Sequence, residues 1–494
     1  MNFRFDRPLA SRILRLAYPI AIAMLAQTAV NQVDTILVGR LPAEESIPGQ
    51  TAIGFSIILL WAFGGLIASL SVGTQALVAR RVGEGNLERA GPVLDTALWV
   101  GGLVSAVASV GIIAALPAIF RMAYTDPKVV ELGVAFSTYR IIGMSSMVMT
   151  IILKGFFDGI GRTKVHMTAA IVMNIANIVL NWLLIFGVGP FPEMGVGGSG
   201  LASLIATWIG LGIMFFAAAD GETRRSYRVF QWGSFDGQIA KTVARVGLPG
   251  GIGTFVVMSG FAMFLVIVGW IDTDTRQAAV RGLPDYASFG PGTFGRAPAS
   301  VWTSGLHAEV FDKHPPYCSA ATKVIIDLMA IVFMTCMAFG QASATLVGQA
   351  LGAKDPDRAE RSGWEAVKVG AAILGVIGLV IAAFPEACIH LFNPDPGVIA
   401  AGKNALRVIA LASPFIAVGM ILAQSLLGAG NSMYVMVVEF ALHFFVLIPF
   451  SYVFGVTLDG GIVGIWCAAV LYLGLLAVAM AWRFRHGGWK HIVL

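Results

Sequence analysis

The chain has 494 residues, of which 57% are apolar and only 12% are charged, with a formal net charge of +5. This composition excludes an ordinary soluble domain and indicates a membrane protein. The four cysteines have no metal-ligand spacing, and no phosphate-binding loop or HExxH motif occurs, so the sequence predicts no metal, no cofactor and no catalytic residue.

Apolar windows long enough to cross a bilayer as helices recur along the whole chain. The predicted helices, in chain order, cover residues 13–38, 52–77, 93–119, 131–152, 166–187, 199–219, 243–271, 323–350, 365–390, 401–427, 433–456 and 461–482. Because the windows are continuously apolar, they predict helices and not the alternating strands of a barrel. The predicted fold class is therefore an all-α membrane protein with twelve transmembrane helices.

Basic residues concentrate in alternate loops between these windows, for example at Arg80 and Arg81, at Arg162 and Lys164, and at Lys354 and Arg358. By the positive-inside rule, this pattern predicts a cell-membrane protein with both termini in the cytoplasm. The positive charge is accounted for by topology, so no nucleic-acid partner is expected. The first window is a full span, which favours a retained helix over a cleaved signal peptide.

The second half of the chain repeats the first. The segment LVARRVGEGNLERA at Leu77–Ala90 returns 269 residues later as LVGQALGAKDPDRA at Leu346–Ala359, and Pro19 matches Pro249 at an offset of 230. Such a repeat predicts two six-helix lobes related by internal symmetry, and in repeat-built transporters the substrate binds where the repeats meet.

The repeat also predicts boundaries. We expect an N-terminal lobe at 1–219, a cytoplasmic linker at 220–242 and a C-terminal lobe at 243–494. The change of offset indicates an insertion between helices seven and eight, at about 272–319, and its proline and glycine content predicts an irregular outer loop.

Polar residues present in only one lobe are the candidate functional residues. Asp34 in helix one shares a helical face with Gln27 and Asn31, and the facing stripe in helix five consists of Asn174, Asn177 and Asn181. Amides accept from a carboxylic acid and donate to a carboxylate, so this pocket can hold Asp34 in either protonation state. Two interpretations stay open: a proton-coupling group, or a hydrogen-bonded residue that fixes helices one and five together.

A second asymmetric pair, Glu439 and His443, lies four residues apart in helix eleven. The spacing predicts either a structural pair or a second coupling site. Lys154 and Asp158, near the inner end of helix four, are interpreted as interfacial charges.

Arg140 and Arg407 lie in the matching contexts YRIIGMSS and LRVIALAS. A cation inside a predicted span suggests function by default. Because both halves carry one in the same context, we predict instead a repeated structural role, by snorkelling or pairing.

The twelve-helix repeat, with the motifs LAYPIAIAMLAQTAVNQVDTILVGRL, VARRVGEG, VGQALGAK, FFDGIGRTK and SLLGAGNS, resembles the multidrug and toxic compound extrusion (MATE) family. The resemblance implies a V-shaped pair of bundles that alternate between outward- and inward-facing states, driven by protons or sodium. Asp34 matches the family's N-lobe acidic coupling position. The C-lobe positions at which some relatives carry acids are Val257 and Ile416 here, and Asn181 stands where other members have Asp.

These features lead to the hypothesis of a monomeric antiporter that exports lipophilic, often cationic compounds in exchange for protons. Sodium is less favoured, because one carboxylate and several amides make a sparse sodium site. Protonation of Asp34 is expected to let helix one bend near Pro19. A flippase for lipid-linked precursors and a membrane-embedded enzyme remain as alternatives, although few intramembrane basic residues suit an anionic cargo.

Overall fold

A computed structural model describes residues 6–124, 126–231, 235–281 and 317–494. Within these ranges the side chains of residues 31, 32, 35, 43, 47 and 273–281 are not described. This part of the chain is helical, with no strand.

We number the membrane-spanning units α1 to α12. The first half contains α1 (Arg7–Val38), α2 (Ala43–Ala68 followed by Leu70–Gly83), α3 (Ala90–Ala123), α4 (Pro127–Ile142 followed by Met144–Gly159), α5 (Lys164–Phe186) and α6 (Gly195–Ala219). A short linker helix, Gly221–Tyr227, comes next. The second half contains α7 (Gly237–Arg281), α8 (Tyr317–Gly352), α9 (Pro356–Ala383), α10 (Pro396–Leu411 followed by Ser413–Gly428), α11 (Ser432–Leu442, continuing through Ile448–Tyr452) and α12 (Gly461–His486).

Both α4 and α10 are bent spans. The two segments of α4 meet at an angle of 41° and those of α10 at 52°. The described residues thus form ten long apolar helices and these two bent pairs, or up to twelve spans. The breaks fall at Gly143 and Ala412, which are equivalent under the offset of 269. The bend therefore belongs to the repeated architecture.

Several helices extend beyond their predicted apolar windows. α7 begins at Gly237, so the last residues of the predicted linker 220–242 are helical, and it continues to Arg281, into the predicted irregular loop. An apolar window marks only the part of a helix inside the hydrocarbon, whereas the polar turns at its ends are also helical. The rest of the predicted insertion, residues 282–316, lies outside the described residues.

The described ends of the insertion are held together by Asp272. Its carboxylate accepts hydrogen bonds from the backbone N–H of Cys318, at 3.0 Å, and of Ser319, at 2.8 Å. The Ser319 hydroxyl adds a third bond at 2.5 Å. The first turn of α8 is therefore fixed to α7 on either side of the insertion.

The two halves meet where the basic loops lie. Gly73 of α2 packs on the backbone of Val243, Gly83 on that of Gln349, and Gly352 on that of Arg80, so closely that a side chain at any of these glycines would overlap the facing backbone. We call this end of the molecule, which carries Arg80, the basic side.

α1 joins the halves at the same level, because Ile13, Leu16 and Ala17 pack into the hydrophobic core of the second half. Asp34 lies 17 residues further along α1 than Ala17, roughly 25 Å at the helical rise per residue. The halves are thus in close contact on the basic side, and Asp34 lies towards the opposite end of α1.

Candidate functional site

Asp34 is buried between α1 and α5, with 8% of its surface exposed. Asn181 of α5 donates a hydrogen bond from Nδ2 to Asp34 Oδ1 at 2.5 Å, and the same nitrogen lies 3.0 Å from Asn177 Oδ1. The predicted contact between the acid of helix one and the amide stripe of helix five is present, and it forms at the end of the stripe farthest from the basic side.

The network extends into α6, a helix in which no site residue is predicted from the sequence. Asn177 Nδ2 donates to the hydroxyl of Ser203 at 3.2 Å. The hydroxyl of Ser199, one turn earlier in α6, is buried with no hydrogen-bond partner within the described residues. The sequence contains a pattern that could have predicted this extension, because Ser199 and Ser203 are four residues apart on one face of a largely apolar helix.

Two amides of the site retain unused hydrogen-bonding capacity. Asn181 Oδ1 is buried without a partner, and so are both amide atoms of Asn174, among the residues that the structure describes. An unpaired buried acceptor is costly. Beside a carboxyl group, it is also a group to which a protonated acid can donate.

The remaining predicted residues of α1 contribute less. Gln27 is half-buried and makes no hydrogen bond within the described part of the chain, whereas the side chain of Asn31 lies outside the described residues. Pro19 is buried inside α1, which runs unbroken from Arg7 to Val38. The bend at Pro19 therefore stays a prediction for the state in which Asp34 is protonated.

The prediction of equivalent roles for Arg140 and Arg407 is wrong. Arg140 lies in α4, is half-buried, and has an electrostatic interaction with Asp34 without a direct ion pair between them. Its Nε is buried with no hydrogen-bond partner within the described residues, and the guanidinium lies 6.0 Å from the centre of the Phe136 ring. Arg407 is exposed. Asp34 is thus not isolated, because a cation unmatched in the second half lies near it.

Glu439 and His443 lie in α11 but do not bond to each other through their side chains. His443 Nδ1 lies 2.8 Å from the backbone oxygen of Glu439, and its ring packs edge-on against Tyr472 with the ring centres 4.5 Å apart. The glycines of α7 make room for both residues: a Cβ at Gly253 would be 2.7 Å from Glu439 Oε2, and one at Gly260 would be 2.7 Å from the imidazole. The predicted pairing of the two side chains is therefore not formed.

No hydrogen bond or ion pair reaches the Glu439 carboxylate from the described residues. α11 changes to a π-helix at His443–Leu447, about one turn after Glu439. Such bulges occur frequently at functional sites.

Lys154 and Asp158 are not interfacial charges. Asp158 is fully buried, and Lys154 Nζ lies 2.6 Å from its Oδ2 and 2.5 Å from Oε1 of Gln341 in the other half. Thr345 of α8 donates to the backbone oxygen of Asp158 at 3.0 Å, and Gln75 donates to Thr345 Oγ1 at 3.0 Å. These residues form a polar network across the contact between the halves; we call it the seam network.

The part of the chain that the structure describes contains no group of three or more His, Cys, Asp or Glu residues placed to hold a metal ion. The site around Asp34 offers one protonatable carboxyl group, an amide that can donate to it or accept from it, and a guanidinium nearby.

Comparison with known proteins decides the family. The MatE family model matches residues 19–183 and 318–453, which together cover more than half of the chain. The chain belongs to the MATE family. It is therefore a transporter of the membrane and not an enzyme, and both matched segments include elements of the sites above.

Curated relatives cover almost the whole chain. A multidrug resistance protein, PmpM, of Pseudomonas aeruginosa is 25% identical over 97% of this chain and 92% of its own length. A probable multidrug resistance protein, NorM, of Thermotoga maritima is 23% identical with the same coverage, and MdtK of Yersinia enterocolitica is 23% identical over 96% of this chain and 95% of its own.

Solved structures agree in fold. A MOP superfamily transporter from Pyrococcus furiosus, described as having a binding pocket of reverse polarity, superposes with a TM-score of 0.80 at 20% identity, covering 98% of this chain and 97% of that one. The bent form of VcmN, a MATE transporter of Vibrio cholerae, gives a TM-score of 0.80 at 16% identity, with 97% of each chain covered.

Proposed function

We propose that this MATE transporter is a secondary antiporter that exports lipophilic, often cationic compounds in exchange for protons. The observation that carries the proposal is the buried Asp34 with Asn181 beside it, one amide atom bonded to the carboxylate and the other unpaired. The relatives named as multidrug resistance proteins support the export of such compounds.

The orientation follows from charge. By the positive-inside rule, the basic side faces the cytoplasm, and both termini lie there. The close contact between the halves is then cytoplasmic, and Asp34 lies towards the outer end of α1, the side from which protons are proposed to enter. We propose that the protein functions in the cell membrane, as a monomer.

The coupling step uses the amide of Asn181. When Asp34 is ionised, Nδ2 donates to it, as in the structure. When Asp34 binds a proton, the amide rotates by half a turn, and the new hydroxyl donates to the oxygen that is unpaired before protonation. The hydrogen bond between Asn181 and Asp34 is kept while the charge disappears, and the bond from Asn181 Nδ2 to Asn177 is broken. Arg140 then loses its electrostatic partner, and the packing of α1 against α5 changes.

Coordination favours protons over sodium. The Arg140 guanidinium opposes either cation at Asp34, whereas one carboxylate and a few amides make a sparse sodium site. A proton needs one oxygen atom only. Each proton that enters down a membrane potential of 100 mV supplies about 2.3 kcal/mol to export.

Cargo is proposed to bind in the cleft between the halves. Thirty-one phenylalanines and 19 methionines are present in the chain, and methionine-rich or aromatic walls adapt to varied apolar molecules. A cationic cargo would be attracted to ionised Asp34 and displaced once that carboxyl group is protonated.

We also propose Glu439 as a second protonatable group. Its support is a carboxylate in the spanning part of α11 that packs on Gly253 and has no polar partner among the described residues. The side chain of His443 is occupied by its own helix and by Tyr472, so its role is to position α11.

The test is dye efflux in inverted vesicles under an imposed proton gradient or an imposed sodium gradient. Asp34→Asn should abolish proton-driven efflux. Asp327→Asn, which removes an acid that is paired with Lys323 near the start of α8, should not. Efflux from the Asp34→Asn variant at the wild-type rate would refute coupling at this residue, and efflux driven by sodium alone would refute the choice of ion.

A further inference from the structure

Two neighbouring cavities open on the basic side where the halves meet. The larger, of about 350 Å³, is lined by residues that include Arg12, Arg15 and Gln349. The smaller, of about 220 Å³, shares Arg12 and Gln349 and adds Arg358. Three arginines therefore surround one region at the end of the contact between the halves.

Among the described residues, no carboxylate lines either cavity. Within the described residues none of the three arginines forms an ion pair; Arg12 donates from Nη2 to the neutral side chain of Gln349 at 2.9 Å. Residues 1–5, MNFRF, contain no acid that could supply one.

The acids nearest in sequence have other partners. Glu365 pairs with Lys368 at 3.0 Å, Glu360 with Lys490 at 2.6 Å, and Asp357 lies 3.9 Å from Lys490. The Asp6 and Asp355 carboxylates accept from backbone N–H groups in the first turns of α1 and α9. Within the described residues, none of the three guanidinium groups is therefore neutralised by an ion pair.

Both halves contribute residues to the lining of these cavities. Arg12 and Arg15 come from α1 in the first half, whereas Gln349 and Arg358 come from α8 and α9 in the second. The residues surround one space only while the basic side is closed. A ligand bound there would stabilise the closed state, because separation of the halves would break its contacts with one of them.

We propose that these cavities form a binding site for a phosphate group, carried either by an anionic phospholipid or by a soluble phosphate. Guanidinium groups match phosphate oxygens in pairs of hydrogen bonds, better than any other side chain. The first turns of α1 and α9 lie at the basic end of the spans, where basic pockets between helices receive lipid head groups. The site is remote from Asp34, so it is separate from the coupling chemistry.

The experiment measures binding to the purified full-length protein. Inorganic phosphate is titrated and followed by phosphorus NMR, and short-chain phosphatidylglycerol is compared with phosphatidylcholine by native mass spectrometry. The test variant is Arg12→Gln with Arg358→Gln. The matched control is Arg7→Gln with Arg361→Gln, which removes two exposed charges from the same two helices but outside the cavities.

Each arginine near a membrane surface contributes about 1 kcal/mol to binding an anionic head group, or roughly fivefold in affinity. The test variant should therefore bind roughly 25-fold more weakly than the wild type, by the same reasoning, and the control should bind as the wild type does. Saturable binding of inorganic phosphate would identify a soluble ligand, and binding of phosphatidylglycerol alone would identify a lipid. Binding of neither probe to the wild type, or equal weakening in both double variants, would overturn the proposal.

Discussion

The seam network allows a sharp prediction about which state the protein prefers. Gln341 accepts a hydrogen bond from Lys154 at 2.5 Å across the contact between the halves, and its backbone oxygen accepts from Gln75 at 3.1 Å. Gln341→Ala removes the first of these bonds and leaves the second. Lys154 keeps its partner Asp158 in its own half, so no unpaired charge is created.

The size of the effect follows from the type of bond. A hydrogen bond to a charged group contributes about 1.5–3 kcal/mol, and about 1.4 kcal/mol corresponds to a factor of ten in an equilibrium constant. Gln341 bonds to Lys154 only while the basic side is closed. Its loss should therefore shift the equilibrium towards the open basic side by roughly 10- to 150-fold.

The populations can be measured by double electron–electron resonance. Spin labels at Glu84→Cys and Ala353→Cys report on the basic side, because both residues are exposed and each lies close to the Gly83 and Gly352 contacts; the four native cysteines are first replaced. Gln424→Ala is the matched control, because Gln424 contacts Met337 within its own half. A long-distance population that is no larger in Gln341→Ala than in Gln424→Ala would refute the role of the seam network.

Four further predictions follow from particular contacts. Asn181→Ala removes the direct donor to Asp34 and should reduce proton-driven efflux by roughly tenfold or more. Asn174→Ala is the control, because both amide atoms that it removes are unpaired within the described residues, and it should leave efflux nearly unchanged. Equal losses in the two variants would contradict the role of Asn181 as the partner of Asp34. Glu439→Gln should make the rate of efflux vary less with pH, without reducing the amount of folded protein measured by size-exclusion chromatography. A pH profile identical to that of the wild type would limit Glu439 to a structural role. Gly352→Ala places a methyl group against the backbone of Arg80 and should open the basic side in the spin-label assay, whereas Gly54→Ala, with open space around it, should not. Asp272→Asn weakens three hydrogen bonds at the ends of the insertion and should lower the thermal unfolding midpoint by several degrees relative to Asp327→Asn; equal midpoints would show that the insertion does not depend on this link.

The sequence was sufficient for the twelve spans because continuous apolar windows report directly on burial in hydrocarbon. It was not sufficient for the ends of α1 and α7, whose polar turns are helical but outside those windows. The apolar windows did not predict the bends at Gly143 and Ala412. Pro414, two residues after the second bend, was a signal for it, whereas no proline lies near the first.

For the site, helical spacing predicted that Asp34 would meet the amide stripe of α5, and Asn181 and Asn177 do form that network. The comparison of halves failed for Arg140. A matching local sequence at Arg407 suggested a shared role, but an electrostatic partner is decided by the facing helix, which a local motif does not describe. The interpretation of Lys154 and Asp158 as interfacial charges is wrong for the same reason, because their partners in the other half, Gln341 and Thr345, each lie 187 residues further along the chain.

The most direct test of the central claim uses a cargo gradient to drive the movement of protons. Liposomes that contain the purified transporter and a trapped pH-sensitive dye are given an outward gradient of a lipophilic cation, with no pH gradient imposed. If Asp34 couples proton entry to cargo exit, the wild type and Asp327→Asn will acidify the interior as cargo leaves, and Asp34→Asn will not. Acidification by Asp34→Asn at the wild-type rate, or cargo exit from the wild type without any proton movement, would contradict the account.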